Sequence, residues 1–437
     1  MVTFNIPKRP IIVAGIAVVV LSGCVNPLPE VTRGTKALFS PKTNSADAAQ
    51  SSSSKIITTL QSRQSVLPKS SPFSEISDGV LAANARTAEA ELRAAKLRSQ
   101  ARSKNWLPTI GPSVSLTSLG GVVASLLVEQ VLFDNGKKKA ERAFAAADVE
   151  VAAVNLAIDT NNRVYTGLDL YLTAQSAKAR AYVGKSAVER MAKFEWVMSE
   201  RVRGGVSNRA DLQVIHQKAA EIRSAYAQDV EEANTALAEL AAMSATSIHD
   251  VMGISDIPVM SDSAEPLLVM RAHAEKDRAI AEATAARAGL LPGLTLSGSV
   301  GSDGSRGAGV SAEAENGIGF GLGSDLKAID AQWDAAKRQV AQAVEDSNRR
   351  LAKLEQQLIS VQRQQAQSQS LLDGANANLD LFEQQYDAGQ RPVMDVINVY
   401  EAKIRSERAH VTHQFEVARI QLEIAKELGL LADGEEI

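Results

Sequence analysis

The sequence predicts a mostly α-helical chain with a membrane β part, built from one unit of helix, β-hairpin and long helical hairpin used twice. Three observations carry that fold class. First, Gly205-Val206-Ser207-Asn208-Arg209-Ala210-Asp211-Leu212 and Gly389-Gln390-Arg391-Pro392-Val393-Met394-Asp395-Val396 each place a glycine six residues before an aspartate and an apolar residue. Each lies between a very long helical run and a shorter one, as the turn of a helical hairpin does. Second, the same offset carries Leu107-Pro108 onto Leu291-Pro292, which marks an internal duplication. Third, the period after each Leu-Pro pair changes from helical to two.

Composition agrees with long, thin packing. Aromatic residues make up only 4% of the 437, too few large side chains for a thick core, whereas alanine-rich helices can pack along narrow seams. The net charge of -4 and the absence of a basic block give nucleic acid no footing.

At the N-terminus Lys8 and Arg9 precede an apolar run from Ile11 to Leu21, followed by Ser22-Gly23-Cys24. The run is too short to cross a bilayer and has the shape of a secretion signal, residues 1–23. Leu-Ser-Gly-Cys resembles a bacterial lipobox, which makes Cys24 the lipidation site and the first residue after cleavage. It is the only cysteine, so no intramolecular disulfide can form. Acyl chains at about 0.8 kcal/mol per buried methylene would hold such a protein on a membrane. Val25 in place of Asp suggests the outer one. Residues 24–72, with Pro27, Pro29, Pro41, Pro68 and Pro72 and a run of serines, read as a tether lying against the folded body.

The first repeat occupies 73–245. A helix runs from about Phe73 to Asn105 and stops at Leu107-Pro108, because proline disfavours helix in the residue before it. Strands are expected at about 110–133, with a turn at Gly120-Gly121. A helical hairpin follows over 137–245. Phe144, Ala147, Val151, Val154, Ile158, Asn161, Tyr165, Leu168 and Leu172 recur at alternating three- and four-residue steps, a coiled-coil seam. A helix from Lys137 to Arg203 would be about 100 Å long. Residues 246–265 lose the pattern and form a linker. The second repeat, 266–430, replays the first, with strands over about 293–323 and a hairpin over 325–430. Residues 431–437 remain as a C-terminal tail.

Leu294, Leu296 and Val300 face one way and Thr295, Ser297 and Ser299 the other, as suits a wall between lipid and water. Four strands cannot close a barrel, and an open edge in lipid costs several kcal/mol per unpaired backbone group. Several chains must therefore pool their strands.

With the duplicated tips, hairpins and lipobox together, residues 73–430 resemble the TolC family of outer-membrane efflux ducts, in its OprM-like lipoprotein branch. The resemblance implies a homotrimer with a barrel of twelve strands, a coiled-coil tunnel through the periplasm, and no catalysis or cofactor beyond the lipid on Cys24. It implies docking to a periplasmic adaptor and to an inner-membrane pump of RND or ABC type, for efflux or type I secretion. It also implies a periplasmic gate at Asp211, Tyr386, Arg391 and Asp395, with Asn398 where the family carries a further aspartate. Gly204, Gly205 and Gly389 form the hairpin tips and adaptor docking points.

Other residues carry less. Asp211 and Asp395 also complement the positive start of a helix. Glu129, Glu313 and Glu315 are candidates for the barrel lumen, or for a solvated face near its end. His410 and His413, three apart without a third ligand nearby, read as a solvated helix face rather than a metal site. Gly317, Gly319, Gly321 and Gly323 alternate with apolar residues, which reads as strand and not as a phosphate loop. Lys137, Lys138 and Lys139 read as a solvated helix start, with anionic lipid heads as the other reading. A rival for the whole chain is a lipid-anchored envelope scaffold without a pore.

Overall fold

A computed structural model describes residues 54–83, 87–116, 122–248, 251–257, 264–313 and 320–434. Cys24 and the signal segment lie outside them. The element order is α1 (Lys55–Gln61), α2 (Pro72–Ala82), α3 (Thr87–Ser103), β1 (Thr109–Leu116), β2 (Val122–Phe133), α4 (Lys137–Arg203), α5 (Arg209–Met243), α6 (Leu267–Gly289), β3 (Gly293–Gly301), β4 (Arg306–Glu313), α7 (Leu322–Asp387) and α8 (Val393–Glu427). The duplication is visible in lengths. Helices α4 and α7 have 67 and 66 residues, and α5 and α8 have 35 each.

No proline interrupts α4, and its seam is buried where the heptad steps place it: Ala147, Val151, Val154, Asn161, Leu168 and Leu172. The core is a thin column strung along this helix. Toward the strands, Leu60, Leu92, Val154, Leu267 and Met270 pack together. At mid-length, Phe73, Ile76, Leu168, Tyr171, Leu240 and Leu422 do so, with the Phe73 and Tyr171 rings edge to face at 6.2 Å. Toward the tips, Met191, Met198, Ile215, Ile397 and Tyr400 form the third cluster. By contrast α7 buries only Ile329, Ala336, Ser347, Leu354, Ser368 and Leu379 along its 66 residues.

The two hairpins merge into one antiparallel sheet of order β1-β2-β3-β4, joined by β2 against β3. No helix among the described residues is long and apolar enough to cross a membrane.

Three expectations are revised. The stretch read as a tether against the body contains a helix, α1, which buries Leu60 completely, because a few apolar side chains suffice when a folded body receives them. The tail is also part of the core up to Gly434: Leu431 and Ala432 are buried, and the Leu431 N–H donates to Asn161 Oδ1 at 2.9 Å. Finally, Phe320 lies in a turn and α7 opens at Leu322, so the strand pattern read through Gly321 and Gly323 ends earlier. Alternating apolar and small residues cannot by themselves mark where a strand yields to a helix start. Gly317 and Gly319 lie outside the described residues.

Candidate functional site

The sheet presents one continuous apolar face. Register places Ile110, Pro112 and Val114 beside Val128, Leu126 and Ala124, then Leu126 beside Val300, and Leu294 and Leu296 beside Ala312 and Val310. Ile110, Val114, Leu126, Val300 and Val310 are all at least half exposed. A bulge between Val131 and Phe133 shifts the parity of β2 and brings Phe133 opposite Leu294, on the same apolar face. Thr109, Ser113, Ser125, Thr295, Ser297, Ser299 and Ser311 alternate onto the other face.

Glu129 belongs to that polar face. It pairs with Thr109 on one side and Ser297 on the other, and its side chain is exposed. Glu313 pairs with Gly293 at the end of β4. The Glu313 side chain and all of Glu315 lie outside the described residues.

The other end of the molecule is set by two matching turns. Gly205 and Gly389 adopt φ of 75° and 71°, which a Cβ would strain. At the first turn the Val206 N–H returns to the Arg201 carbonyl and the Gly205 N–H to that of Val202. At the second the Gln390 N–H returns to Gln385 and the Gly389 N–H to Tyr386. Both are Schellman closures, which satisfy the last carbonyls of a helix while reversing the chain. Gly204 is the residue before the reversal, at φ of -77°. Asn208 then caps α5 by accepting the Asp211 N–H at 2.8 Å, and Pro392 precedes α8.

Within one chain the expected gate residues do not all converge. Arg391 stays on its own turn: Nε donates to Gln385 Oε1 at 2.5 Å, Nη1 to Asp395 Oδ2 at 3.3 Å, and the guanidinium lies 4.1 Å from the Phe382 ring centre. Tyr386 instead meets Arg201, whose Nη1 donates to its hydroxyl at 3.2 Å and whose guanidinium lies 5.9 Å from its ring centre. Asp211 is half-buried in the first turn of α5, and among the described residues no hydrogen bond or ion pair joins it to Tyr386 or Arg391. Asn398 is exposed.

Arg201 is therefore a tip residue that sequence reading missed. Arg201 occupies the repeat position of Gln385, the acceptor for Arg391, and that correspondence was the available signal. Further tie points join the two hairpins above the tips. Arg190 meets Glu383 between α4 and α7 and lies over the Phe194 and Tyr400 rings. Lys218 meets Glu401 at 2.5 Å between α5 and α8. Asp229 of α5, almost fully buried, accepts from Arg180 of α4 at 2.9 Å and from Arg408 of α8 at 2.5 Å. Burial pushes the Tyr400 hydroxyl above its ordinary pKa, with Glu407 and Glu383 adding to the rise and Arg190 opposing it.

His410 and His413 diverge. His410 Nδ1 lies 3.1 Å from the Ser368 hydroxyl, whereas His413 Nδ1 lies 2.8 Å from Glu416.

The described fold superposes on solved membrane proteins. It matches a membrane protein from Pseudomonas aeruginosa with a TM-score of 0.73 at 15% identity, over 86% of this chain and 93% of that one. The outer membrane protein VceC from Vibrio cholerae follows at 0.69 and 16%, over 82% and 96%. The CmeC outer membrane channel of Campylobacter jejuni gives 0.68 and 12%, over 83% and 86%. At such identities the likeness is one of fold. In sequence, residues 265–429 match the model of the outer membrane efflux proteins. Over that stretch the chain is similar to the outer membrane efflux proteins. No curated protein sequence matches it. The family match falls on the second repeat, whose β3 and β4 and whose α7 and α8 hairpin carry Tyr386, Arg391 and Asp395.

Proposed function

We propose that the chain is the outer-membrane exit duct of a tripartite efflux or type I secretion system. It would pass solutes or polypeptides delivered by a periplasmic adaptor and an inner-membrane RND or ABC pump. The observation that carries this reading is the single four-stranded sheet with one exposed apolar face and one polar face, attached to helical hairpins about 100 Å long. Edges β1 and β4 are open. Three chains supply twelve strands, and β4 of one chain beside β1 of the next removes both edges. The sparsely buried α7 fits a helix whose remaining cover comes from a neighbouring chain.

The sheet's polar face becomes the lumen, where Glu129 would stand three times around the ring and favour cations. At the other end, threefold symmetry gathers Asp211, Arg391 and Asp395 into rings that restrict the opening. A lipid on Cys24 would tie the duct to the membrane. Opening the tips requires separating the hairpins, and Arg201 with Tyr386, Arg190 with Glu383, and Lys218 with Glu401 are the bonds that resist it. The adaptor, docking near Gly204, Gly205 and Gly389, would supply that work.

The test is the conductance of the purified protein in planar bilayers, wild type beside D211A/R391S. A small cation-preferring current that rises severalfold in the double variant is expected. No current from either protein, with the trimer intact by mass, would favour the scaffold without a pore.

A further inference from the structure

Beneath the sheet, the first repeat carries a feature that the second lacks. Trp106, just before β1, is 60% exposed, and Phe133, at the end of β2, is 55% exposed. Lys104 and Asn105 lie in the turn between α3 and Trp106, and α4 begins with Lys137, Lys138 and Lys139. The two helix ends are bound together. The Asn105 Nδ2 donates to the Lys138 carbonyl at 3.1 Å, Lys138 Nζ donates to the Asn105 carbonyl at 2.5 Å, and Arg142 Nη1 donates to Asn105 Oδ1 at 2.9 Å. Gln130 fastens the Trp106 carbonyl at 3.0 Å. Exposed Lys104 and Lys139 are thus the sequence neighbours of the two residues, Asn105 and Lys138, that fix this junction.

Asp134, next to Phe133, is committed to the start of α4, where it accepts the Gly136 N–H at 3.0 Å and the Lys138 N–H at 2.7 Å. Glu141 is committed to Asn105 Nδ2 at 3.0 Å and to Arg102. The corresponding first turn of α7 reads Leu322-Gly323-Ser324-Asp325 and holds no cation.

We propose that this junction is a binding site for an anionic phospholipid of the membrane's periplasmic leaflet, one per chain. Trp106 and Phe133 lie at the level where acyl chains meet the polar heads, and Lys104 and Lys139 take the phosphate. Aromatic rings belong at that boundary because one side of it is apolar and the other wet. Lysines just beyond it reach anionic heads while their stems stay against apolar surface. The second repeat has Ala288 and Gly323 at the positions of Lys104 and Lys139, so a trimer has three such sites. The inference rests on the barrel reading above.

The experiment is native mass spectrometry of the detergent-purified trimer offered equal phosphatidylglycerol and phosphatidylcholine, wild type beside K104Q/K139Q. Wild type is expected to retain up to three phosphatidylglycerol molecules in preference to phosphatidylcholine. Each lysine beside an anionic surface is worth roughly fivefold in retention, so the double variant should lose more than about tenfold. Both proteins should conduct alike in planar bilayers. Equal retention of the two lipids by a conducting wild-type trimer, or unchanged retention in the variant, would overturn the site and leave the duct standing. A protein that forms no trimer would remove the duct and the site together.

Discussion

Asp229 is the acid on which three helices converge, and its removal leaves two largely buried guanidinium groups, Arg180 and Arg408, without their shared partner. Stranding a buried charge costs about 3 kcal/mol or more, so Asp229→Ala should lower the melting temperature in detergent well below that of an exposed control such as Asp373→Ala. Tyr171 gives a test with pH. Its hydroxyl donates to the Gly253 carbonyl at 2.8 Å, and burial, with a smaller contribution from Glu75, pushes its pKa up to about 12. The native state therefore keeps a proton that the unfolded chain loses near its ordinary pKa of about 10. That stabilisation is complete below the unfolded value and falls as pH rises from there toward 12. Tyr171→Phe should cost about 1 kcal/mol near neutrality for the lost hydrogen bond. It should also lessen the decline in stability across the alkaline window, as followed by circular dichroism. None of these partners was legible in the sequence. Asp229 and Arg408 lie 179 positions apart, and Arg163 finds the carbonyls of Val80, Ala83 and Met243, at two helix ends that only packing brings to it.

The elements were more legible, because each rests on a local rule. Gly205 and Gly389 were marked by their place after long helical runs, and both hold the positive φ of a Schellman turn. No atom lies within 4 Å of a Cβ built at either, so alanine there meets backbone strain alone. Each substitution should cost about 1 kcal/mol, read as additive decreases in melting temperature for Gly205→Ala, Gly389→Ala and the pair. Helix α4 was legible for the same kind of reason: heptad steps without proline leave no other regular structure for 67 residues. The start of α7 was not, since Phe320 to Gly323 continue the alternation of apolar residues and glycine into the turn and first residues of the helix. Nor were helix α1 and the partners of residues 54–71, although their contact with the body was expected. Arg63 there donates to the Leu428 and Glu265 carbonyls, both at 2.6 Å, and the Val66 N–H donates to the Leu430 carbonyl at 2.9 Å. A prolines-and-serines composition gives no hint that its end is fastened to the last helix. Burial holds the Arg63 guanidinium below its ordinary pKa, the Glu265 carboxylate partly offsetting this, so Arg63→Ala should loosen this strap. The expected readout is faster backbone hydrogen exchange over residues 60–67 with the tips unaffected.

At the scale of the molecule, the sheet and the tips do different work and are separated by the length of α4. The polar face that carries Glu129 should set ion preference: Glu129→Gln should reduce the cation-to-anion permeability ratio and leave the size of the closed-state current to the tips. The need for partners was legible from strand number alone, since four strands with an apolar face leave two edges that lipid cannot satisfy. The number of partners was not, because closure geometry belongs to the neighbours' strands and not to any residue of this one. The central claim is that chains pool their strands into one wall. The mass of the detergent-extracted protein, measured by light scattering with the detergent subtracted, tests it most directly. A particle of three chains supports the shared barrel; a stable, fully folded single chain with its sheet intact would contradict it.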